Sequence, residues 1–454
     1  MRESNLGLVL RAVRENAPCS RADVAAVTGL TKATVSSLVA DLMAHGLVRE
    51  TGAAPERRVG RPGVMLALDG RRIAAVGLEV NVDYLTVVAV DLMERELLSR
   101  QVPFDAGAAG DSSRSAAARD DSRSAAARAE PRSAAARPDP RSAAARPDPR
   151  SAAARAEPAT ERLAALVRET LADPLLSGRT VLGISVAVPG LVDSPAGVVT
   201  DAPNLRWSGF PLRDRLRALL DAAGLGALPL LVDNDANLGA VAEYRSGHLA
   251  HTPDLVYLTG EVGIGAGVLV NGRPLRGSRG FGGEIGHIPL ARRPRCGCGR
   301  YGCLEALAGV QAIVRRTVPD LVPAGPVTGS LVATAVAATV ERARAGDADV
   351  LHALSRAGGW LGRGVATVVN LLNPRAVLLG GYFVPLAPWL LPPCTAELDA
   401  HVIAPDRGGC QVAASTLGLT AAARGGAAAL VDALDTGRLP LPPPLPPTTA
   451  GTTP

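Results

Sequence analysis

The sequence predicts an α/β protein: a small N-terminal helical unit joined to a larger two-lobed core. Three observations predict it. Residues 1–63 carry apolar positions at helical spacing and end in a strand–loop–strand pattern. From Ile73 onward, short apolar strands alternate with amphipathic helices. The chain has 454 residues, more than a single hydrophobic core usually holds. Apolar residues make up 47% and charged residues 20%, which excludes a collagen-like or wholly disordered chain. Aromatics are only 3%, so the core rests on Val, Leu, Ile and Ala. Six cysteines are too few for a disulfide scaffold.

In the N-terminal unit, Leu6, Val9, Leu10 and Val13 repeat as one helix face. Ser20 caps a second helix, Arg21 to Thr28, with Asp23 at its third position and Gly29 at its end. Thr31 caps a third helix, running through Ala44, whose apolar face is Val35, Leu38, Val39 and Leu42. His45 and Gly46 close it. Leu47–Arg49 and Val64–Leu68 then read as two strands around an Arg-rich loop. Three short helices followed by such a wing form a winged helix-turn-helix. The outer face of the third helix offers Lys32, Thr34, Ser36 and Ser37 to a major groove. Arg57, Arg58 and Arg61 in the wing reach a minor groove or phosphate. Ser20, Arg21 and Thr31, at helix N-termini, complete the expected DNA-contacting set. The bland alternative is a helical bundle used for protein contacts.

Charge agrees with a nucleic-acid partner. The net charge is +5, and residues 1–63 hold +3 of it. Residues 111–158 hold another +3, in a nine-residue repeat of Arg-Ser-Ala-Ala-Ala-Arg starting at Arg114, Arg123, Arg132, Arg141 and Arg150. Its charges alternate in sign and its prolines interrupt any long helix, so it reads as a disordered insert; an Arg-rich arm touching DNA phosphate is the other reading. The expected organisation is therefore 1–66 winged helix-turn-helix, 67–104 and 159–435 core, 105–158 insert, and 436–454 a disordered Pro/Thr-rich tail. The N-terminus does not resemble a signal peptide. The uncharged stretch between Arg375 and Glu397 carries Pro385, Pro388, Pro392 and Pro393, which predicts a buried strand followed by a loop in place of a membrane span. A cytoplasmic protein follows.

In the core, strands are expected at Val76–Leu78, Leu85–Val90, Val181–Val188, Leu228–Val232, Leu255–Leu258, Gly265–Val270 and Ala376–Leu379. Helices are expected at Thr160–Ala172, Pro211–Ala223, Ala236–Ser246 and Leu351–Leu372. His287, Cys296, Cys298 and Cys303 are spaced as ligands of one tetrahedral ion. Thiolates and imidazole suit Zn2+, and four protein ligands make a closed, structural site. Gly297, Gly299 and Gly302 allow the tight turns that chelation by neighbours demands. The plain alternative is three buried free cysteines.

These residues also carry a resemblance. Gly283-Glu-Ile-Gly-His287 followed by Cys296-x-Cys-Gly-x-x-Gly-Cys-Leu-Glu305 resembles the ROK family signature, as do Asp233-Asn-Asp-Ala-Asn237, Val188-Pro-Gly190 and Ala202-Pro-Asn-Leu-x-Trp207. The N-terminal head places the chain with that family's xylose-repressor-like branch. The resemblance implies an actin-like (ribonuclease H-like) ATPase-type fold with sugar bound between two lobes. It implies that Asn204, Asn234, Asp235, Glu284, His287 and Glu305 contact sugar hydroxyls. In family kinases the residue matching Asp235 is the base that deprotonates the accepting hydroxyl.

The phosphate-binding parts depart from the family's kinases. Where those carry Asp-x-Gly-Gly-Thr, this chain reads Glu79-Val-Asn-Val-Asp83, with no glycine and with a carboxylate in the place of a hydroxyl. The second loop reads Gly260-Glu-Val-Gly-Ile-Gly265, with an acid and an extra residue. Negative charge repels a triphosphate, and branched side chains block its approach. The expectation is a sugar-responsive repressor without enzyme activity, a homodimer or homotetramer on palindromic operator DNA. The alternatives are a bifunctional ATP-dependent sugar kinase carrying a DNA-binding head, and a DNA-binding scaffold with an empty cleft.

Overall fold

The protein is described by a computed structural model covering residues 2–53, 64–104, 149–322 and 330–444. The head comprises α1 (Arg2–Asn16), β1 (Cys19–Ser20), α2 (Arg21–Thr28), α3 (Lys32–Ala44), β2 (Val48–Ala53) and β3 (Val64–Leu68). Its caps form as the sequence predicts. The Ser20 side chain accepts from the Asp23 amide while Asp23 accepts from the Ser20 amide, and Gly29 closes α2 in the left-handed region at φ 71°. The Thr31 side chain caps α3. The strands pair in the order β1-β3-β2.

The core begins with β4 (Ile73–Val80), β5 (Tyr84–Asp91), β6 (Glu96–Pro103), α4 (Pro149–Leu171) and β7 (Thr180–Val188). A small antiparallel sheet follows, β8 (Leu191–Asp193), β9 (Val198–Ala202) and β10 (Trp207–Phe210), then α5 (Leu212–Asp221) and β11 (Leu230–Asn234). Next come α6 (Asp235–Ser246), β12 (Leu255–Gly260), β13 (Ile264–Val270), β14 (Arg273–Pro274), α7 (Leu304–Ala308) and α8 (Val310–Thr317). The chain closes with α9 (Ser330–Arg344), α10 (Ala348–Leu372), β15 (Ala376–Gly381), α11 (Phe383–His401), β16 (Gln411–Ala414) and α12 (Ala421–Asp435). The two large sheets run β11-β7-β4-β5-β6 and β14-β13-β12-β15-β16. Each is an antiparallel meander extended by two parallel strands. That repeated plan is the actin-like architecture.

β4 and β5 are buried on both faces, because α12 covers one face and α4 lies over the other. α12 sits close to its neighbours: a side chain on Gly77 would strike the Ala423 carbonyl, and one on Gly425 would strike that of Leu238 on α6. The head is continuous with this packing. One apolar cluster joins Leu10, Val13, Val39 and Leu66 of the head to Val88 of β5 and to Ala427, Val431 and Leu434 of α12.

Three expectations are corrected. The residues after Gly381 are helical, not a loop: α11 contains Pro388, Pro392 and Pro393 and buries Phe383, Leu386, Leu390, Cys394 and Leu398 as one face. The expected disordered insert 105–158 gives way to helix at Pro149, so the last repeat belongs to α4, where Ala156 and Ala159 are buried. The tail expected from 436 is placed up to residue 444: Leu439 and Leu441 pack on the head's core, and the His45 ring meets the Pro442 carbonyl at 2.5 Å. The other repeats, and residues 445–454, lie outside the described residues. No helix among the described residues is long and apolar enough to cross a membrane.

Candidate functional site

The site lies where the two lobes meet. Asn234 ends β11 and caps α6: its Oδ1 accepts from the Asn237 amide at 3.0 Å, and its Nδ2 donates to the Gly190 carbonyl at 2.9 Å. Asp235, the first residue of α6, is buried and takes the Ala236 amide at 2.8 Å and Asn234 Nδ2 at 2.9 Å. Burial, and to a lesser degree Glu284, push its carboxyl up to about 6, against the hydrogen bonds it accepts. Glu284, partly open to solvent, stands at the start of a short 3₁₀ turn, Ile285–His287. It is electrostatically linked to His287 and Glu305, and burial with Glu305 raises its pKa. Glu305, in the first turn of α7, accepts the Ile264 amide at 3.2 Å. Asn234, Asp235, Glu284, His287 and Glu305 thus form one polar wall. Asn204, exposed in the turn between β9 and β10, shares no hydrogen bond with them among the described residues.

The wall faces a second, acidic cluster. Asn81 Nδ2 donates to Tyr84 Oη at 3.0 Å and to Glu261 Oε2 at 3.2 Å, and Asn81 Oδ1 takes the Val82 amide at 2.7 Å. A side-chain bridge therefore joins the β4–β5 turn to the β12–β13 turn. Tyr382 donates to Asp83 at 3.0 Å. Burial drives the Glu79 carboxyl up to about 8, helped by Asp235, and holds that of Glu261 well above the carboxylate range, helped by Glu79. Asp83 rises to about 6 by burial. Among the described residues, Glu79 Oε2 and Asp83 Oδ1 have no hydrogen-bond partner. A small open pocket is lined by Glu79, Asp235, Thr259, Glu261, Gly418, Leu419, Ala421 and Ala422. Asp233, quoted only as part of a motif, proves structural: Arg276 holds it at 2.7 Å and Ser194 at 2.7 Å. No signal local to Asp233 pointed to Arg276, 43 residues away.

Beside the wall, the ligand atoms of His287, Cys296, Cys298 and Cys303 all lie within 4.8 Å of one another. His287 Nδ1 and Cys296 Sγ are 3.8 Å apart, and Cys298 and Cys303 Sγ 3.7 Å. A tetrahedron with metal–sulfur bonds of about 2.3 Å has edges of about 3.8 Å, so the four residues fit one such ion. Gly299 and Gly302 take φ of +87° and +67°, as the turns require. Gly297 lies in the same hydrogen-bonded turn, closed by the Gly299 amide on the Cys296 carbonyl at 2.9 Å, without a positive φ.

On the head, Lys32, Ser36 and Ser37 point outward from α3. The other candidates have local work. Ser20 and Asp23 cap α2, Thr31 and Thr34 bond each other at 2.8 Å, and Arg21 pairs with Glu50 of the wing at 2.9 Å. Arg57, Arg58 and Arg61 lie outside the described residues.

The ROK family profile matches residues 150–433. The chain belongs to the ROK family. Residues 7–58 match the MarR family, so the head is a winged helix of that type. The xylose repressor of Bacillus subtilis is 25% identical over 435 residues, 95% of this chain and 96% of that protein. The glucokinase of Halalkalibacterium halodurans is 31% identical over 285 residues, 58% of this chain and 82% of that enzyme. A crystal structure of a ROK family transcriptional regulator, a homologue of the E. coli MLC protein, superposes with a TM-score of 0.71 at 23% identity, covering 96% of this chain and 97% of that one.

Proposed function

We propose that this ROK protein is a sugar-responsive, DNA-binding transcriptional repressor. The observation that supports the reading is the state of the cleft: a polar wall around Asn234 and Asp235, suited to sugar hydroxyls, stands beside two turns filled by the protein's own groups, where kinases of the family would hold phosphate. Asn81 takes the Val82 amide and Glu261 occupies the second loop, so backbone donors that a triphosphate needs are spent and carboxyls stand in their place. The head supports the other half, since Lys32, Ser36 and Ser37 present donors along one exposed helix face. Similarity to the xylose repressor over nearly the whole chain supports the same reading and makes xylose the first sugar to test.

Asn204, Asn234, Asp235, Glu284, His287 and Glu305 would contact sugar hydroxyls; Lys32, Ser36, Ser37 and the wing arginines would contact operator DNA. A zinc ion held by His287 and the three cysteines would fix the loop that carries His287 and Glu305, leaving no open position for catalysis. Two heads of a homodimer would meet the halves of a palindromic operator, and sugar would lower the affinity by favouring a different head arrangement. A protein acting on operator DNA works in the cytoplasm.

A thermal-shift screen of sugars, followed by operator binding with and without the best stabiliser, tests this. A sugar at 100 times its Kd should stabilise the fold by about 2.7 kcal/mol and release DNA. Operator affinity unchanged by every stabilising sugar overturns the reading. The kinase reading rests on Asp235, whose raised pKa suits a base; sugar phosphorylation lost in Asp235→Asn would establish it.

A further inference from the structure

We infer that α12 is the part that couples the cleft to the DNA-binding head, through an Arg14–Asp435 latch at its far end. This names the regulation of the proposed sugar site and rests on that reading for its biological meaning.

The two ends of α12 touch the two sites. At its start, Ala421 and Ala422, with Gly418 and Leu419 just before them, line the cleft pocket together with Glu79 and Asp235. At its end, Asp435 is 3% exposed and receives Arg14 Nε at 2.8 Å and Nη2 at 3.1 Å. Arg14 also donates to the Leu92 carbonyl at 2.6 Å, which ties α1 to the end of β5. A buried carboxylate at the negative end of a helix is doubly disfavoured; the arginine from α1 is the counter-charge bonded to it, and Arg245 adds a second positive charge nearby.

The connection between the ends is stiff. Fifteen residues of helix span about 22 Å. The helix meets its neighbours backbone to backbone at three places along its length. Gly77 admits the Ala423 carbonyl, Gly425 admits the Leu238 carbonyl, and Gly7 of α1 admits the Asp435 carbonyl itself. No long side chain lies at these contacts to absorb a displacement, and close-packed interiors transmit one. On the head side, Ala427, Leu430, Val431 and Leu434 share one apolar cluster with Val9, Leu10 and Val13 of α1. Whatever moves the first turn of α12 therefore moves the seat of α1.

The test needs neither sugar nor DNA, so failure of the repressor reading would not be mistaken for failure of the coupling. Ala422→Trp puts a side chain into the pocket in place of a ligand, and hydrogen exchange reads the amides of Leu6–Val13. We expect exchange there to quicken by about threefold or more, with α10 amides unchanged as a check of folding. In Arg14→Ala protein the same substitution should add nothing. Arg438→Ala breaks an exposed ion pair with Asp432 at the same helix end and should leave the response intact. If Ala422→Trp does not fold, Leu419→Trp fills the mouth of the same pocket. The inference is overturned if the α1 response is absent when Arg14 is present, or is undiminished when it is gone.

Discussion

Cys298 is the exposed member of the four-ligand set, whereas Cys296 and Cys303 are buried. An exposed side chain that holds nothing tolerates truncation within about 0.5 kcal/mol. Cys298→Ala is instead expected to abolish the bound zinc, read as metal content, and to lower Tm by several degrees, an effect that a chelator reproduces on the unaltered protein. Glu79 gives a pH prediction. Its carboxyl rises from 4.5 to about 8 on folding, so it stabilises the fold while protonated. That contribution is complete below about pH 4.5 and is lost as pH rises through about 8. Tm should fall between these values, and Glu79→Gln, neutral throughout, should flatten the fall. Asp235 and Asp83, each raised from 3.8 to about 6, leave a residual slope lower in the range, and Glu261, held well above the usual carboxylate range, adds to it higher up. An unchanged slope in Glu79→Gln would mean that Glu79 is ionised in the fold.

At the scale of elements, α2 and α3 were legible because their limits are set locally. Ser20, Asp23, Gly29 and Thr31 act within a few residues of themselves. Ser20→Ala is accordingly expected to cost about 1 kcal/mol by urea unfolding. Lys32 sits outside that framework, so Lys32→Ala should leave stability unchanged and reduce the salt slope of DNA binding by about 1. α11 was illegible for the opposite reason. Its prolines argue against a helix locally, but its buried face outweighs them, with Gly358 and Gly362 of α10 admitting the Leu390 and Cys394 carbonyls. The same limit explains Arg276 on Asp233 and His45 on the tail: these partners lie far apart in sequence. Asn234, Asp235 and Glu305 could be picked out by motif, but the Asn81–Glu261 bridge between the β4–β5 and β12–β13 turns could not. The absence of glycine from Glu79–Asp83 gave no sign of which groups meet in that turn.

At the scale of the molecule, the question is whether head and core are two domains on a tether or one cooperative body. A tether would let the head keep its own core, yet the head's cluster runs into β5 and α12, and the tail folds back beside His45. The Arg14–Asp435 pair, with side chains 13% and 2% exposed, lies within this junction. Removing one partner of a buried pair costs about 3 kcal/mol, because the other charge is left stranded. Arg14→Ala should therefore lower the unfolding free energy by about that amount. Its effect on regulation is separable from this loss. If sugar weakens operator binding about tenfold, the coupling is about 1.4 kcal/mol, and linkage requires operator to weaken sugar binding by the same factor. With the latch gone, both factors should shrink toward one together, while sugar affinity measured without DNA stays as it was. Calorimetry of sugar binding, with and without operator, reads both sides. A tethered head predicts instead that Arg14→Ala leaves the two factors untouched, since nothing at the junction would then carry the signal.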